Sequence, residues 1–509
     1  MVSDKKTIQW MEKQDIFRLI LLSAIALVIG VYLIATAVLI AKDGVFYIGQ
    51  AQKISTNPVG VIKEFPPGYP FLIFAVHKGV VLSGCSSSSI YSWIYCAQSV
   101  SLLCRVLAII PLYFIGKLLV GGVRSFWAVL ILILLPAPAQ FGSDTLRDWP
   151  HILFIAWGML FLIQGANRGK WWLFGCAGLV SGLGYIVRPE CAQIVIYGVL
   201  WLAFGLLRPV RHKMNRPKLV GAMLILLLSF TFVAGPYQKI AGLPEKVKEL
   251  IISFHPLLSQ RIQSVNINNG EQIYSTAGLP GNIASAIGKV MNEININLFY
   301  FFTPALWIGL YFRFRRESTV ADVEKFFVSA FAVFNISTII FLYCFWKYIS
   351  TRHCLPLVVF LIFYVPIGLE VLANWLENRL SCGGAKTGAD SRRWFFVLLA
   401  IGVVICLPKL VRPMHWDKQG FRDAAKWLRE NTKKEALIAV PDPRIAFYAE
   451  RKMLMMYNDR VPEQADYAVR IIKDKDEKPE FGKNTKEEYS TGGGKRKKDR
   501  ELIVYRVNH

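Results

Sequence analysis

Carboxylate and guanidinium side chains recur in this sequence directly beside long apolar segments. Asp43 follows the first such segment, Asp148 precedes the fourth, and Arg188 closes the fifth. Arg352 lies between the ninth and the tenth. A carboxylate in such a place can accept a proton from a hydroxyl or an amine, and an arginine can hold a phosphate through two hydrogen bonds. Because charge at membrane depth is costly, a cluster of these groups at one face predicts a functional site.

The composition indicates that the apolar segments cross a membrane. Of the 509 residues, 54% are hydrophobic and 18% are charged, whereas a soluble domain carries about 25% charge. The apolar residues form blocks of roughly 18–25, the length that a helix needs to cross about 30 Å of hydrocarbon. We predict spans at residues 16–41, 91–117, 125–142, 149–165, 171–187, 191–207, 219–236, 297–312, 325–346, 354–373 and 394–411.

The basic residues indicate how these spans are oriented. Lys and Arg concentrate in short loops such as Arg208–Lys218 and Arg313–Arg316, which places those loops in the cytoplasm. The net charge of +24 is assigned to these loops and not to nucleic-acid binding. The segment 69–82 is short for a span and is predicted to lie in the interface. The N-terminus is then cytoplasmic and the C-terminus extracytoplasmic. An uncleaved first span is favoured over a signal peptide with a weak cleavage motif at 35–37.

The predicted fold class is an all-α polytopic membrane protein with about eleven transmembrane helices, outer interfacial helices and a small α/β extracytoplasmic C-terminal domain. The membrane domain is expected at 1–412, with outer loops at 42–90 and 237–296, and the soluble domain at 413–509. In that tail the pattern predicts a helix at 419–431 and strands at 436–440 and 502–507. The charged stretch 473–500 is expected to be loose.

Four groups of residues are candidates for chemistry, and each has a simpler alternative. Asp43 is either a general base or an ordinary solvated loop acid. A spacing of four predicts that Asp144 and Asp148 share a helical face, with Arg147 beside them. The alternative is an N-cap, with Ser143 or Asp144 as the capping residue and the helix dipole favouring Asp148. These two readings are compatible with each other.

The other two groups contain the cations. Arg188 is an arginine at the outer side, where the positive-inside bias makes it unusual, so it needs a partner. Glu190 is a local candidate, and an anionic phosphate is another. Lys347, Arg352 and His353 share a very short outer turn that could hold the phosphate of a lipid-linked molecule. Snorkelling to lipid phosphates is the alternative for this turn.

The sequence contains no pattern that requires a cofactor. Its nine Cys include no CxxC pair, and its seven His show no metal-ligand spacing. Carboxylates at an interface can hold a divalent metal ion through oxygen ligands, so metal use stays open. The Gly492–Lys495 run is not a phosphate loop, because no Ser or Thr follows the Lys.

Taken together, the ordered motifs resemble those of the GT-C glycosyltransferases, especially the bacterial relatives of protein O-mannosyltransferases and the aminoarabinose transferases of lipid A. The motifs are the acid after the first span with Tyr47 close behind it, the stretch that begins at Glu64, the Thr145–Asp148 segment before the fourth span, the Val187–Glu190 segment and the Ser350–Pro356 segment. They follow one order along residues 1–412 and lie on one predicted side.

This resemblance implies a sugar donor linked to a polyprenyl phosphate and transfer with inversion at the outer face of the membrane. Asp43 matches the catalytic acid of the first loop, and Asp148 or Asp144 matches that of the second. The residues expected to face the donor phosphate are Arg147, Arg188, Lys347, Arg352 and His353. Tyr47, Glu64 and Glu190 are expected to support them. The sequence departs from the protein mannosyltransferases where Gly44, and not a Glu, follows Asp43.

The expected reaction is the transfer of a hexosyl or pentosyl unit to a lipid, glycan or protein acceptor, in a bacterial inner membrane. A transporter or flippase of lipid-linked sugars is the alternative. It is less favoured because transporters place ionisable groups near the bilayer midplane, whereas the predicted spans are nearly free of charge at their centres. A scaffold whose working part is the tail 413–509 is the second alternative.

Overall fold

The computed structural model describes residues 12–84, 89–207, 213–242, 279–316, 320–346, 348–380, 388–456, 460–472, 485–491 and 501–508. The amino-terminal part is helical throughout. Its helices are α1 (Lys13–Thr36), α2 (Lys42–Lys53), α3 (Pro58–Glu64), α4 (Gly68–Leu82), α5 (Ile90–Val120), α6 (Gly122–Leu134), α7 (Pro136–Phe141), α8 (Asp148–Arg168), α9 (Trp172–Val187), α10 (Gln193–Leu207), α11 (Arg216–Ala241), α12 (Leu279–Asn297), α13 (Phe302–Tyr311), α14 (Asp322–Trp346), α15 (Leu355–Leu361), α16 (Val365–Leu380) and α17 (Gly388–Leu410).

Every predicted span contains a helix. By length and composition, eight helices of the described residues could cross a membrane, or nine if the bent pair α12–α13 counts as one. The shorter apolar helices are α4, α6 and α9. The polytopic, mostly helical class is therefore confirmed, whereas the number eleven stays a prediction. The helix predicted at 69–82 is α4.

The eighth predicted span differs most from expectation. In place of one helix over 297–312, α12 and α13 meet at a bend of 112°. The corner is formed by Phe299 and Tyr300, whose φ angles of 53° and 59° lie in the left-handed region that bulky residues rarely adopt. Helix α12 also occupies the end of the stretch 237–296, whose assignment as an outer loop stays a prediction. The amphipathic part of that loop falls outside the described residues.

The stretch predicted as the outer loop 42–90 contains the three short helices α2, α3 and α4. Helix α4 is tied to the long helix α5, because the hydroxyl groups of Tyr69 and Ser101 are 2.9 Å apart. Ser101 also donates to the carbonyl oxygen of Leu146 at 3.0 Å, just before α8. These bonds join α4, α5 and the approach to α8 at one end of the helices.

The C-terminal part is a small α/β unit, as predicted. It contains α18 (Gln419–Asn431), α19 (Pro443–Ala449) and the strands β1 (Leu437–Val440), β2 (Lys452–Met455), β3 (Tyr467–Ile472), β4 (Thr485–Ser490) and β5 (Glu501–Val507). The strand order is β2-β1-β3-β5-β4, with β1 parallel to β2 and β3, and β5 antiparallel to β3 and β4. Helix α18 buries the predicted face Phe421, Ala424, Ala425 and Leu428.

Strand β4 lies within the stretch 473–500 that was expected to be loose, so that prediction is wrong for 485–490. The alternation of polar residues there gave no apolar face to indicate a strand. Pairing with β5 supplies the backbone hydrogen bonds that hold it.

A buried apolar cluster joins this unit to helices α2 and α4. Side chains of α2 and α4, such as Tyr47 and Tyr69, belong to the same buried cluster as Phe421 and Val504 of the α/β unit. A second, larger cluster fills the space between the membrane helices. The α/β unit is therefore packed onto α2 and α4 and is not a separate appendage.

One charge lies where the sequence analysis expected none. Arg105, in the middle of α5, is 1% exposed. Its Nη2 donates to the carbonyl oxygen of Ile133 at 2.8 Å, and its guanidinium lies 5.8 Å from the Trp149 ring. Ile133 is in the last turn of α6, where a cation is favourable to the helix dipole. The description of the spans as nearly charge-free is wrong at this position.

Candidate active site

Asp43 and Arg352 meet, although they lie more than three hundred residues apart in the chain. Asp43 stands in the first turn of α2, and its Oδ2 is 2.9 Å from Nη2 of Arg352, just before α15. The Asp43 side chain is 44% exposed. Burial opposes the charge of Arg352, but Asp148 and Asp43 raise the pKa of its guanidinium above the usual range. Arg352 is therefore a permanent cation beside an accessible carboxylate.

A second ion pair lies close by. Asp148 is the first residue of α8, and its Oδ1 accepts a hydrogen bond from Arg188 Nη1 at 2.9 Å. Arg188 also donates from Nε to Glu190 at 3.0 Å, so the local partner suggested by the sequence is in place. Burial opposes the charge of Arg188, but Glu190 and Asp148 raise its pKa. The Asp148 side chain is only 8% exposed, so Asp43 is the more accessible of the two carboxylates.

Tyr47 is close enough to both ion pairs for their charges to act on its hydroxyl. Burial raises the pKa of its hydroxyl, and the fields of Asp43 and Asp148 act in the same direction while Arg147 and Arg188 oppose them. Its ring packs edge-on against Tyr69, with centroids 5.2 Å apart. The side chain of Tyr47 is therefore buried and has four charged side chains near it.

Arg147 is held by an aromatic ring. It is the N-cap residue of α8, and its guanidinium lies 4.7 Å from the ring centroid of Phe65. Within the described residues it forms no ion pair. It therefore presents a cation whose charge is not already neutralised by a carboxylate, next to Tyr47.

Asp144 does not share a helical face with Asp148, because α8 begins only at Asp148. Neither Ser143 nor Asp144 caps that helix. Asp144 is buried and fully bonded: Oδ1 accepts from the N–H groups of Ala41 and Thr145, and Oδ2 is 2.8 Å from His415 Nε2. Burial alone would raise its pKa, but His415 and the two N–H groups hold it below the usual value. Asp144 therefore fixes the backbone of Ala41, two residues before Asp43.

Two glycines allow the close packing that brings the groups together. A Cβ atom on Gly44 would lie 2.8 Å from Thr145 Cβ. The residue after Asp43 therefore has no room for a Glu, which explains the departure noted in the sequence. A Cβ atom on Gly68 would lie 2.7 Å from Val187 Cγ2 and 2.9 Å from the Val187 backbone nitrogen. Helix α4 thus packs directly on the backbone that precedes Arg188.

The turn that carries Arg352 rests on α12. Thr351 donates from Oγ1 to Glu293 at 2.6 Å, and Asn297 donates to the Thr351 carbonyl oxygen at 2.8 Å. His353 Nδ1 accepts from the Ser350 N–H at 3.1 Å, so this ring nitrogen is engaged inside the turn. Lys347 lies outside the described residues.

The remaining predicted residue, Glu64, is exposed at the end of α3, and it forms no ion pair within the described residues. Its neighbour Phe65 is the residue that reaches the site. In the part of the chain that the structure describes, no three His, Cys, Asp or Glu side chains are placed to hold a metal ion. Asp43 and Asp148 are each paired with an arginine.

The structure also brings in residues that sequence reasoning missed. His415 is 271 positions from Asp144 in sequence, and no local pattern links the two. His151 lies one turn into α8, and both of its ring nitrogens are buried without a hydrogen-bond partner within the described residues. In the sequence, only the spacing of three between Asp148 and His151 indicates that both side chains lie on the same face of α8.

These features define a class: a polytopic membrane protein with a charged site at one end of its helices and a small α/β unit packed beside it. The family model of dolichyl-phosphate-mannose-protein mannosyltransferases matches residues 93–234, which run from α5 into α11. That match includes Asp148, Arg188 and Glu190. No curated protein sequence matches the chain.

Solved structures of two proteins share the fold. The oligosaccharyltransferase AglB from Archaeoglobus fulgidus, in complex with an inhibitory peptide and a dolichol-phosphate, is 14% identical with a TM-score of 0.55. The superposition covers 90% of this chain and 70% of AglB. ArnT from Cupriavidus metallidurans, bound to undecaprenyl phosphate, is 12% identical with a TM-score of 0.52. This superposition covers 95% of this chain and 97% of ArnT. The chain therefore has the GT-C fold that its sequence resemblance predicted.

Proposed function

We propose that the protein is a glycosyltransferase that moves a sugar from a polyprenyl-phosphate carrier to an acceptor at the outer face of the membrane, with inversion. The observation that carries the proposal is the pair of adjacent ion pairs, Asp43–Arg352 and Asp148–Arg188, at the ends of four helices. The similarity to AglB and ArnT supports it, because the former was solved with a dolichol-phosphate and the latter with undecaprenyl phosphate.

Asp43 is the proposed general base. It is the more accessible carboxylate, so an acceptor hydroxyl can approach it, whereas Asp148 is nearly enclosed. Asp43 takes the proton of the acceptor as the acceptor oxygen attacks the anomeric carbon of the donor sugar. The bond from that carbon to the phosphate oxygen breaks in the same displacement. The polyprenyl phosphate leaves with an additional negative charge, and the configuration at the carbon inverts.

The arginines are proposed to stabilise the leaving phosphate. Arg147 has no carboxylate partner within the described residues, and Arg352 has only Asp43. When the donor binds, its phosphate can replace Asp43 as the partner of Arg352, which releases the carboxylate for proton transfer. Cations placed where charge develops lower the barrier to reaction. Asp148 and Glu190 keep Arg188 fixed beside this position.

We further propose that the sugar is a single hexosyl or pentosyl unit, and that the protein resides in a bacterial inner membrane with the site outside. Lys117 pairs with Asp15 at the start of α1, the helix whose other end leads to Asp43, and Arg313 donates to the carbonyl oxygen of Leu119 at the end of α5. These basic residues therefore gather at the helix ends opposite Asp43, which supports this orientation. Basic loops of this kind are typical of the cytoplasmic side. The acceptor is a lipid, a glycan or a protein.

The test is an Asp43→Asn variant assayed for sugar transfer from a polyprenyl-phosphate sugar, with product detected by mass spectrometry. We expect a rate lower by about 10²–10⁴-fold, because a positioned base contributes that much. Asp417→Asn is the matched control, since Asp417 is exposed in the α/β unit. A correctly inserted Asp43→Asn protein with the full rate of transfer would remove Asp43 from the role of base. A deletion strain that accumulates a lipid-linked sugar would identify the donor.

A further inference from the structure

A polar pocket lies between α18 and the start of α5. None of the residues discussed for the transfer step lines it. Its volume is about 260 Å³. The residues on which the argument depends are Tyr91 at the start of α5, Tyr448 of α19, and Arg422, Lys426 and Arg429 of α18. The pocket therefore lies where the α/β unit meets the membrane helices.

The cations come from one face of α18. Arg422, Lys426 and Arg429 are spaced four and three residues apart, which places them on the same side of a helix. Lys426 is exposed and forms no ion pair within the described residues. Arg429 pairs with Glu450 at 3.6 Å in an exposed contact that contributes little and is easily exchanged. Asp423 is the acidic residue in the lining.

The walls of the pocket are aromatic. The rings of Tyr91 and Tyr448 have centroids 6.2 Å apart, at an angle of 59°. Such rings present apolar faces with a polar tip, and sugar rings commonly pack on faces of this type. Cations beside aromatic faces suit a saccharide that carries an anionic group.

The pocket is connected to Asp43 by a short, fixed segment. Arg422 Nη1 donates to the Val38 carbonyl oxygen at 3.0 Å, and the Tyr448 hydroxyl accepts from the Ile40 N–H at 3.1 Å. Ile40 precedes Asp43 by three residues, so their Cα atoms are at most about 11 Å apart. A short saccharide can bridge that distance, with one end in the pocket and a hydroxyl at Asp43.

We propose that this pocket binds the acceptor through an anionic group, a phosphate or a carboxylate, on a saccharide that extends to Asp43. The inference rests on the proposed glycosyl transfer and narrows the acceptor to the class of anionic glycans and glycolipids. The same pocket chemistry suits a phospholipid headgroup, which is the competing source of phosphate.

The experiment measures binding of a glucose monophosphate, phosphorylated on its primary hydroxyl, to the full-length protein in phosphatidylcholine nanodiscs by ligand-observed NMR. Glucose is the neutral comparison. We expect the phosphate ester to bind, glucose to bind more weakly, and Lys426→Glu to reduce binding of the ester about tenfold, as expected for loss of a charge-assisted contact. Lys434→Glu is the matched control, because Lys434 is exposed in the same unit but does not line the pocket.

Two further measurements separate the outcomes. Binding of undecaprenyl phosphate should be the same in the wild type and in Lys426→Glu. If the wild type does not bind undecaprenyl phosphate, the proposed function fails. If it binds undecaprenyl phosphate but Lys426→Glu leaves binding of the glucose phosphate unchanged, only the present inference is overturned. It is equally overturned if the glucose phosphate does not bind while phosphatidylglycerol in the nanodisc does, since the pocket is then a lipid site.

Discussion

At the scale of single residues, the site depends on the forked geometry of arginine. Arg188 uses Nη1 for Asp148 and Nε for Glu190, so one side chain joins the start of α8 to the turn before α10. A lysine has the same charge but concentrates it on one nitrogen. It cannot hold both carboxylates in the same arrangement.

We therefore expect Arg188→Lys to lower the rate of transfer by about ten- to a hundredfold, even though the charge is conserved. The rate should be measured with saturating donor, so that loss of binding and loss of turnover are distinguished. Arg216→Lys, at the exposed start of α11, is the control. A lysine variant as active as the wild type would show that only the charge of Arg188 matters.

Asp144 leads to a prediction about pH. Its pKa is lower in the folded protein than in the unfolded chain, so its bonds to His415, Ala41 and Thr145 stabilise the fold at pH values above the unfolded pKa, about 3.9. That contribution is lost as the pH falls through the lower folded pKa. An Asp144→Asn variant lacks it at every pH.

Thermal unfolding in detergent checks this sign. Asp144→Asn should be destabilised by about 2 kcal/mol at neutral pH, because it weakens charged hydrogen bonds. The difference in Tm between the two proteins should shrink as the pH falls below about 4, where Asp144 becomes protonated. A difference that instead grows over that acid range would contradict the assignment.

At the scale of elements, the close approach of α4 to the end of α9 sets the position of Arg188. Gly68 contacts the backbone of Val187, so a side chain there must push two elements apart. Gly79 in the same helix has no atom within 4 Å of where its Cβ would be. The two glycines therefore form a matched pair for substitution.

We expect Gly68→Ala to reduce transfer at least about tenfold through displacement of Arg188, and to lower the Tm, since overpacking costs about 1–3 kcal/mol. Gly79→Ala should leave both quantities unchanged or raise the Tm slightly, because alanine favours helix more than glycine does. Equal behaviour of the two variants would refute the role of this contact.

The sequence could predict those elements that depend on residues close together in the chain. Spans and the helix 419–431 are encoded in local apolar periodicity, and the gathering of Asp43, Asp148, Arg188 and Arg352 follows from counting sides of a membrane. The contact between His415 and Asp144 depends on packing between distant segments and has no local sequence pattern. The corner at Phe299–Tyr300 is similar, because neither residue is a glycine and tertiary contacts must enforce the left-handed backbone.

At the scale of the whole molecule, the α/β unit holds the segment before Asp43. Backbone groups of residues 37–40 bond to it through the Met414 carbonyl oxygen, Arg422, Arg444 and the Tyr448 hydroxyl. The candidate catalytic residues all lie within residues 1–412, which by itself would predict that some turnover survives loss of the tail. These contacts favour the opposite expectation, because Asp43 loses its support when the unit is absent.

We expect deletion of residues 413–509 to reduce transfer to background, whether or not the remaining helices insert. Tyr448→Phe tests the same idea in the full chain: it leaves the buried Ile40 N–H without its acceptor, which costs about 1–3 kcal/mol, and should slow transfer. Tyr467→Phe in β3 is the control. Full activity of the truncated protein would show that the unit serves another purpose.

The pairing of Asp43 with Arg352 also has a consequence for the end of the catalytic cycle. In the proposed reaction, the carrier that remains after sugar transfer is a doubly charged anion that would otherwise stay tightly bound to the guanidinium groups. The carboxyl group competes for Arg352 as soon as it sheds its proton to solvent. Asp43 would thus displace the used lipid from Arg352. The ion pair that re-forms leaves the site ready for the next donor.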